Sequence, residues 1–326
     1  MARCSFEYDR DEATGYRIVR MRADGDTPET NTIAQIMPEM GSNLSRLAVG
    51  GTEYIYGISE ANGRAFVLGT PILYPTPNRV RDAQFTFGGK VYRFTPNNGP
   101  NFLHGLVREE LWEIDEPIVG MESVSVTTRI SFDATRGFWE SFPIRNTLEL
   151  TYTLRAGTLR LSFTVTNEDS YQLLPFGLGI HPFFRIHGSR DDVRIQVPAE
   201  KWMEAEDLLP TGRLIDVEEG PADLREPTPL TNLDLDDVYW GLSESRPQTI
   251  YYDRLGKKVV LTAADFFTHS VVYTPLGHPY FCIENQSSST DAHNLYSQGL
   301  EKEAHLTVLP PGASVSAWIE IAVSDL

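Results

Sequence analysis

The chain has 326 residues, 41% hydrophobic and 22% charged, which is enough apolar material for a large buried core and excludes a disordered chain or a fibre. Twenty-eight Lys and Arg against 45 Asp and Glu leave a formal net charge of −17, a field that repels nucleic acid and acidic membrane surfaces but acts little on a neutral ligand. The two cysteines, Cys4 and Cys282, are too few for a disulfide framework and have no C-x-x-C spacing for zinc, so a reducing compartment is expected.

The opening MARCSFEYDRDEATGYRI carries charge throughout and has no apolar run of the secretory kind. No later stretch approaches the ~18 apolar residues of a membrane helix. A soluble, cytoplasmic protein is expected, with no membrane partner. The first clear period is two. Val124, Val126, Ile130 and Phe132 alternate with Ser125, Thr127, Arg129 and Ser131, which predicts a half-buried strand. Leu148, Leu150, Tyr152 and Leu154 repeat the pattern, then Arg155-Ala156-Gly157-Thr158 intervenes, and Leu159, Leu161, Phe163 and Val165 resume it. That pair predicts an antiparallel hairpin. Further strands are predicted at 193–197, 249–252, 259–261, 271–273 and 315–323. Ser287-Ser288-Ser289 is read as a loop, and 291–300 as a short helix. No segment holds a sustained helical stripe, and no 20- to 50-residue repeat, Gly/Ser linker or Pro-rich hinge divides the chain. The expectation is an all-β protein, one large antiparallel β-sandwich spanning residues 1–326 as a single domain.

Four places mix chemistry-bearing side chains with backbone specialists. His104 lies in Asn101-Phe102-Leu103-His104-Gly105. His181 precedes Pro182, which biases it to extended backbone at a strand end. Glu284 sits in the apolar run Phe281-Cys282-Ile283-Glu284-Asn285, where alternation puts Phe281 and Ile283 on one face and Cys282 and Glu284 on the other. Arg79 and Arg81 share a face if their segment is extended. Taken singly, each has an ordinary reading: a strand-borne Glu is commonly a paired structural carboxylate, a His before Pro is commonly satisfied within the fold, and Arg79 can pair with Asp82 on the surface.

These stretches, PTPNRVRDAQFTFGGKVYRF (75–94), NFLHG (101–105), GLGIHPFF (177–184), LDLDDVYWGL (233–242), FCIENQSSSTDAHNL (281–295) and VLPPGASVSAWIEIAV (308–323), together resemble the aldose 1-epimerase (galactose mutarotase) family in its order and spacing. The resemblance implies a galactose-mutarotase-type β-sandwich, a sugar substrate, and no metal or organic cofactor. It carries Glu284 over as general base, His181 as general acid, and His104 as a substrate-binding, assisting residue. Arg79 matches the Arg that contacts sugar hydroxyls, with adjoining Asn78 as a second substrate-binding residue. The sugar-binding Asp falls on Asp236, with adjacent Asp237 leaving the register open by one. The chain departs from the family at Leu106, where a second Gly follows His-Gly, and at Asn285, where Pro follows the Glu. Sugar choice is expected to differ there.

The residue types suit the chemistry without the name, since opening a hemiacetal needs one base at the C1 hydroxyl and one acid at the ring oxygen, which a carboxylate and an imidazole supply. A three-ligand metal site at His104, His181 and Glu284 lacks an H-x-H or H-x-x-x-H anchor. His187, His269, His278, His293 and His305 are read as structural. The five tryptophans are read as core, with Trp240 beside the Asp236 segment as the one candidate sugar platform. The leading expectation is a mutarotase of a free aldohexose, working as monomer or homodimer on a small neutral sugar. A hexose-6-phosphate 1-epimerase using Arg79 and Arg81, or a non-catalytic carbohydrate-binding sandwich, are the alternatives.

Overall fold

The computed structural model describes residues 3–12, 14–57, 60 and 68–326. Alternation builds its largest sheet. In Asn146–Arg155 and Thr158–Asn167 every second side chain is buried, and the register sets Leu148 against Val165, Leu150 against Phe163, Tyr152 against Leu161 and Leu154 against Leu159. A slip of one residue would turn all eight toward solvent, so the pairing is strongly specified. Ala156-Gly157 closes the hairpin with Gly157 at φ 75°, a backbone state that glycine adopts without strain. Full burial of each such side chain contributes about 1.5–3 kcal/mol, and Leu150→Ala should cost about 2–5 kcal/mol.

From this hairpin the ten-stranded sheet runs outward through Val124–Phe132 to Glu113–Ile114 on one side. On the other it runs through Ser314–Asp325, Lys257–Ala263, Gln248–Tyr252 and Val193–Gln196 to Thr228–Pro229. Facing it is an eight-stranded sheet in the order Leu209–Asp216, Lys201–Glu206, Asp236–Trp240, His269–Tyr273, Tyr280–Gln286, Gly179–Ile180 and Ile72–Leu73, with Phe183–Arg185 also paired to Tyr280–Gln286. The pairings are antiparallel. Inward side chains of both sheets, such as Leu148, Leu161 and Ile319 from the first and Tyr239, Val272 and Ile283 from the second, share one continuous core. This is a large all-β sandwich, as the period-2 reading expects.

A five-stranded sheet, Cys4–Arg10, Arg17–Ala23, Thr32–Met37, Asn43–Val49 and Thr52–Glu53, adds Val19, Met21, Ala34 and Leu44 to the same core. The helix expected at 291–300 is shorter and broken: Ala292–Ser297 is followed by Glu301–Ala304, with Asp291 outside at φ 55°. Ser287, Ser288 and Ser289 do connect elements, but as a buried crossing, where the Leu178 amide donates to Ser287 Oγ at 2.8 Å. No helix among the described residues is long and apolar enough to cross a membrane.

Candidate active site

Glu284 stands on Tyr280–Gln286, the strand flanked by His269–Tyr273 on one side and Phe183–Arg185 on the other. Alternation divides that strand as the sequence predicts. Phe281 and Ile283 enter the main core, whereas Cys282 and Glu284 face away from it. The ladder then sets a row of side chains on that face, because Asp236 pairs with Tyr273, Tyr273 with Cys282, and Cys282 with Phe183. One rung along, Val271 pairs with Glu284. Phe183, Asp236, Val271, Tyr273 and Glu284 line a cleft of about 330 Å³, a size at the lower end of small-molecule sites.

Two loops supply the rest. Arg79–Val80 pairs with Phe102–Leu103, so the segments 75–82 and 101–105 are laced together, and the His104 amide donates to Asn78 O at 2.9 Å. Asn78 and His104 both hold left-handed backbone, at φ 56° and 69°. Gly105 follows at φ 70°, and a Cβ there would meet Tyr74 O at 2.3 Å, so this position requires glycine. The turn aims the His104 ring at His181, with centroids 5.0 Å apart and planes near perpendicular at 84°. His181 ends the short Gly179–Ile180 strand; its amide donates to Pro71 O at 3.0 Å and its ring stacks on Phe183 at 4.5 Å. The imidazole is thereby fixed with Nε2 3.1 Å from Glu284 Oε1. Gln286 Nε2 donates to the other carboxylate oxygen at 2.9 Å.

Arg79 reaches three acceptors: Asp236 Oδ2 at 3.2 Å, Asn78 Oδ1 at 3.1 Å and Asn98 Oδ1 at 3.3 Å. Its sequence neighbour Asp82 is not its partner. The register left open by one resolves spatially, because Asp236 lines the cleft while Asp237 accepts from Trp202 Nε1 at 3.0 Å outside it. Arg81 departs from the expectation of a shared face. The chain turns at Arg81–Ala83, Asp82 takes φ 51°, and Arg81 binds Asp291 in place of the cleft.

Burial dominates the electrostatics. It pushes the Glu284 carboxyl well above the ordinary carboxylate range, and nearby Asp236 adds to that while Gln286 and Arg79 oppose it. Burial pushes the His181 imidazole down, with Arg108 adding to the effect. His104 is lowered too, by burial first and then by His181, Arg108 and Arg79. The 3.1 Å contact works against the first two shifts, since an ionised Glu284 beside a protonated His181 gains their mutual attraction. That attraction opposes the two shifts, which on their own favour the neutral pair.

The structure thus brings together every residue that the resemblance singled out: Asn78, Arg79, His104, His181, Asp236 and Glu284. Asn97, Leu103, Arg108, Phe183, Val271, Tyr273 and Tyr280 also line the cleft and were not identified. Period-2 counting from Glu284 could have found Tyr280; Arg108 and Asn97 come from loops and carry no periodic signal. Leu106 and Asn285, where sugar choice was expected to differ, are not among the residues that line the cleft. Trp240 is no platform either; Lys302 lies over its ring at 5.5 Å, outside the cleft. Of the five histidines read as structural, His187 bonds Glu53 O, His293 bonds Pro175 O and His305 bonds Ser287 O, whereas His269 meets Thr268 Oγ1 through Nδ1 and leaves its buried Nε2 without a hydrogen-bond partner.

Comparison with known proteins agrees with this layout. A profile of the family described as aldose 1-epimerase matches residues 29–322. Galactose mutarotase of Sus scrofa is 31% identical over 161 residues, which is 47% of this chain and 44% of that protein, so the match spans less than half of the curated relative. Among solved structures, a galactose mutarotase-like protein of Clostridium acetobutylicum superposes with a TM-score of 0.85 at 20% identity, covering 99% of this chain and 98% of that one. Galactose 1-epimerase of Lactobacillus acidophilus gives 0.79 at 15% identity, covering 100% and 99%. The two superpositions establish a galactose mutarotase-like sandwich, and the profile, covering nearly the whole chain, establishes that this protein belongs to the aldose 1-epimerase family.

Proposed function

We propose that the protein interconverts the α and β anomers of a free aldohexose of the glucose or galactose kind, using Glu284 as base and His181 as acid. The observation that carries this reading is their contact at 3.1 Å. In a cyclic aldose the C1 hydroxyl oxygen and the ring oxygen are bonded to the same carbon, so base and acid must stand side by side.

Ring opening removes the C1 hydroxyl proton to Glu284 while His181 protonates the ring oxygen; the C1–O bond to the ring breaks and an open-chain aldehyde forms. Rotation about C1–C2 presents the other carbonyl face. Reclosure returns both protons, one from Glu284 to the aldehyde oxygen and one from the sugar hydroxyl to His181, so the pair is regenerated without a net proton. Burial makes Glu284 a stronger base as carboxylate and His181 a stronger acid as imidazolium, while making those forms scarcer, and their 3.1 Å contact opposes that scarcity. Arg79, Asn78, Asp236 and His104 offer donors and acceptors to the sugar hydroxyls, and positioning of this kind lowers the entropic part of the barrier.

Polarimetry on α-glucose and α-galactose tests the reading, with faster decay of rotation than the spontaneous rate as the expected result. One observation favours a second substrate class. Arg108, in place of Arg81, lies with Arg79 along the cleft, and two guanidinium groups suit the phosphate of a hexose 6-phosphate. Glucose 6-phosphate in the same assay separates the two. Turnover of the phosphate ester far above that of any free sugar would move the assignment to it.

A further inference from the structure

We propose that the floor of the cleft is also a binding site for a thiophilic divalent cation, Zn²⁺, held by His181, Cys282 and Glu284, and that its occupancy turns the catalytic pair off. The site stands on geometry alone; only its inhibitory effect rests on the proposed function.

The acid–base chemistry uses two of these side chains and leaves the thiol without a role. Yet one nitrogen of His181, the Cys282 sulfur and one Glu284 oxygen all lie within 4.8 Å of one another. Ligand atoms placed tetrahedrally around zinc at 2.0–2.3 Å stand about 3.3–3.6 Å apart. The His181–Glu284 separation of 3.1 Å is already near that range, so only the sulfur must close, by about an ångström. A nitrogen, a sulfur and an oxygen, with a fourth position open toward the cleft, form the donor set of an open zinc site.

The arrangement is also held in place from outside. Cys282 and Glu284 are two residues apart on one strand and therefore project to the same face. That strand is pinned on both sides, with Cys282 opposite Phe183 and Tyr273, and Glu284 opposite Val271. Gln286 Nε2 holds Glu284 Oε2 at 2.9 Å, which leaves Oε1 turned to His181 and fixes the carboxylate as outer-shell partners do around a metal. His181 is oriented by its stack on Phe183. Cys282 lies behind these two, packed with Phe183, Met37 and Met40, so the ion enters from the cleft and meets His181 and Glu284 first. Binding forms a zinc–thiolate bond and releases two protons to solvent, one from the thiol and the one that the His181–Glu284 pair holds between its facing nitrogen and oxygen. Both halves of the acid–base pair are then ligands, and neither can exchange a proton with a sugar.

Cobalt reports on the site without reference to activity. Protein freed of metal with EDTA and titrated with Co²⁺ should develop an ultraviolet cobalt–thiolate charge-transfer band and the intense visible absorption of four-coordinate cobalt, and Zn²⁺ should titrate both away. Cys282→Ala and the bulkier Cys282→Val should lose the thiolate band, whereas Cys4→Ala should keep it. Zn²⁺ should inhibit anomer exchange by the wild type, and the two Cys282 variants should need at least about tenfold more zinc for the same inhibition while turning over normally without it. A wild-type cobalt complex lacking the thiolate band, or Cys282 variants inhibited by zinc as readily as the wild type, would overturn the site. A thiolate band in a protein that exchanges no anomers would uphold the site and defeat the proposed function instead.

Discussion

Glu284→Gln exchanges one oxygen for nitrogen at the cleft floor and leaves the volume unchanged. The amide oxygen can keep the 2.9 Å bond from Gln286 Nε2, and the amide nitrogen can donate to His181 Nε2 across the present 3.1 Å contact if the ring proton moves to Nδ1. The fold should therefore survive. Its stability at neutral pH should match or exceed the wild type's. The carboxyl's folded pKa is raised above its ordinary 4.5, so its contribution is fully present below that value and is lost as pH rises through the folded pKa, a loss the amide does not suffer. The amide cannot take the C1 hydroxyl proton, and a positioned general base is worth roughly 10²–10⁴ in rate, or about 3–5 kcal/mol of barrier. Stopped-flow polarimetry should show kcat lower by that factor with a modest change in KM. His181→Asn should behave alike, and the double variant should lose less than the product of the two, because acid and base act as one unit. A Glu284→Gln protein with near-wild-type kcat would show that the carboxylate is structural and refute the assignment.

Three further expectations follow from the geometry. Asp236→Asn should raise KM because it weakens both a cleft acceptor and the clamp on Arg79, while Asp237→Asn, bonded to Trp202 outside the cleft, should leave KM unchanged; equal effects would mean that the spatial distinction has no functional weight. KM for a free sugar should stay flat as salt rises, since a neutral ligand feels little of the −17 field, and a steep salt dependence would point to an anionic substrate. Buried His293 has its pKa lowered from 6.5 to about 4, so its contribution is fully present above 6.5 and is lost as pH falls toward about 4, on the order of 3 kcal/mol. His293→Gln should accordingly lose less stability than the wild type over that interval in urea titrations, and parallel pH profiles would contradict the neutral buried ring.

The longest strands that the sequence revealed, 124–132 and the 146–167 hairpin, have one face in the core and one outside and so write their environment as a period of two. The N-terminal sheet was silent for other reasons: Cys4–Arg10 is mostly exposed and carries Glu7, Asp9 and Arg10, with only Cys4 and Phe6 buried or half-buried, too few to set a period. Asn43–Val49 is buried on both faces, and Asn43, Ser45 and Arg46 interrupt its apolar residues, so neither alternation nor a continuous apolar run appears. Ile72–Leu73, Arg79–Val80, Phe102–Leu103 and Gly179–Ile180 are two residues each, too short to show any period, yet they carry or adjoin Arg79, His104 and His181. Those three were legible only through local motifs: a Gly that a left-handed turn requires after His104, a Pro that forces His181 to a strand end, an Asn before Arg79. Arg108 and Asn97 reach the cleft by tertiary packing of loops, and nothing in their neighbours announces it. Arg81 misled because the extended run ends there: the chain turns at Arg81–Ala83, with Asp82 and Ala83 both in left-handed backbone, and Asp291 holds Arg81.

In the proposed mechanism His181 and Glu284 together pass protons to and from two oxygens on one sugar carbon. Magnetisation transfer between the α and β anomeric protons measures this most directly, because at equilibrium it reports exchange itself and no net reaction. With metal-free wild-type protein, saturating one anomeric signal of glucose or galactose should attenuate the other, and Glu284→Gln should abolish that transfer. Absence of transfer for every free aldohexose, or transfer that persists undiminished in Glu284→Gln, would rule that mechanism out.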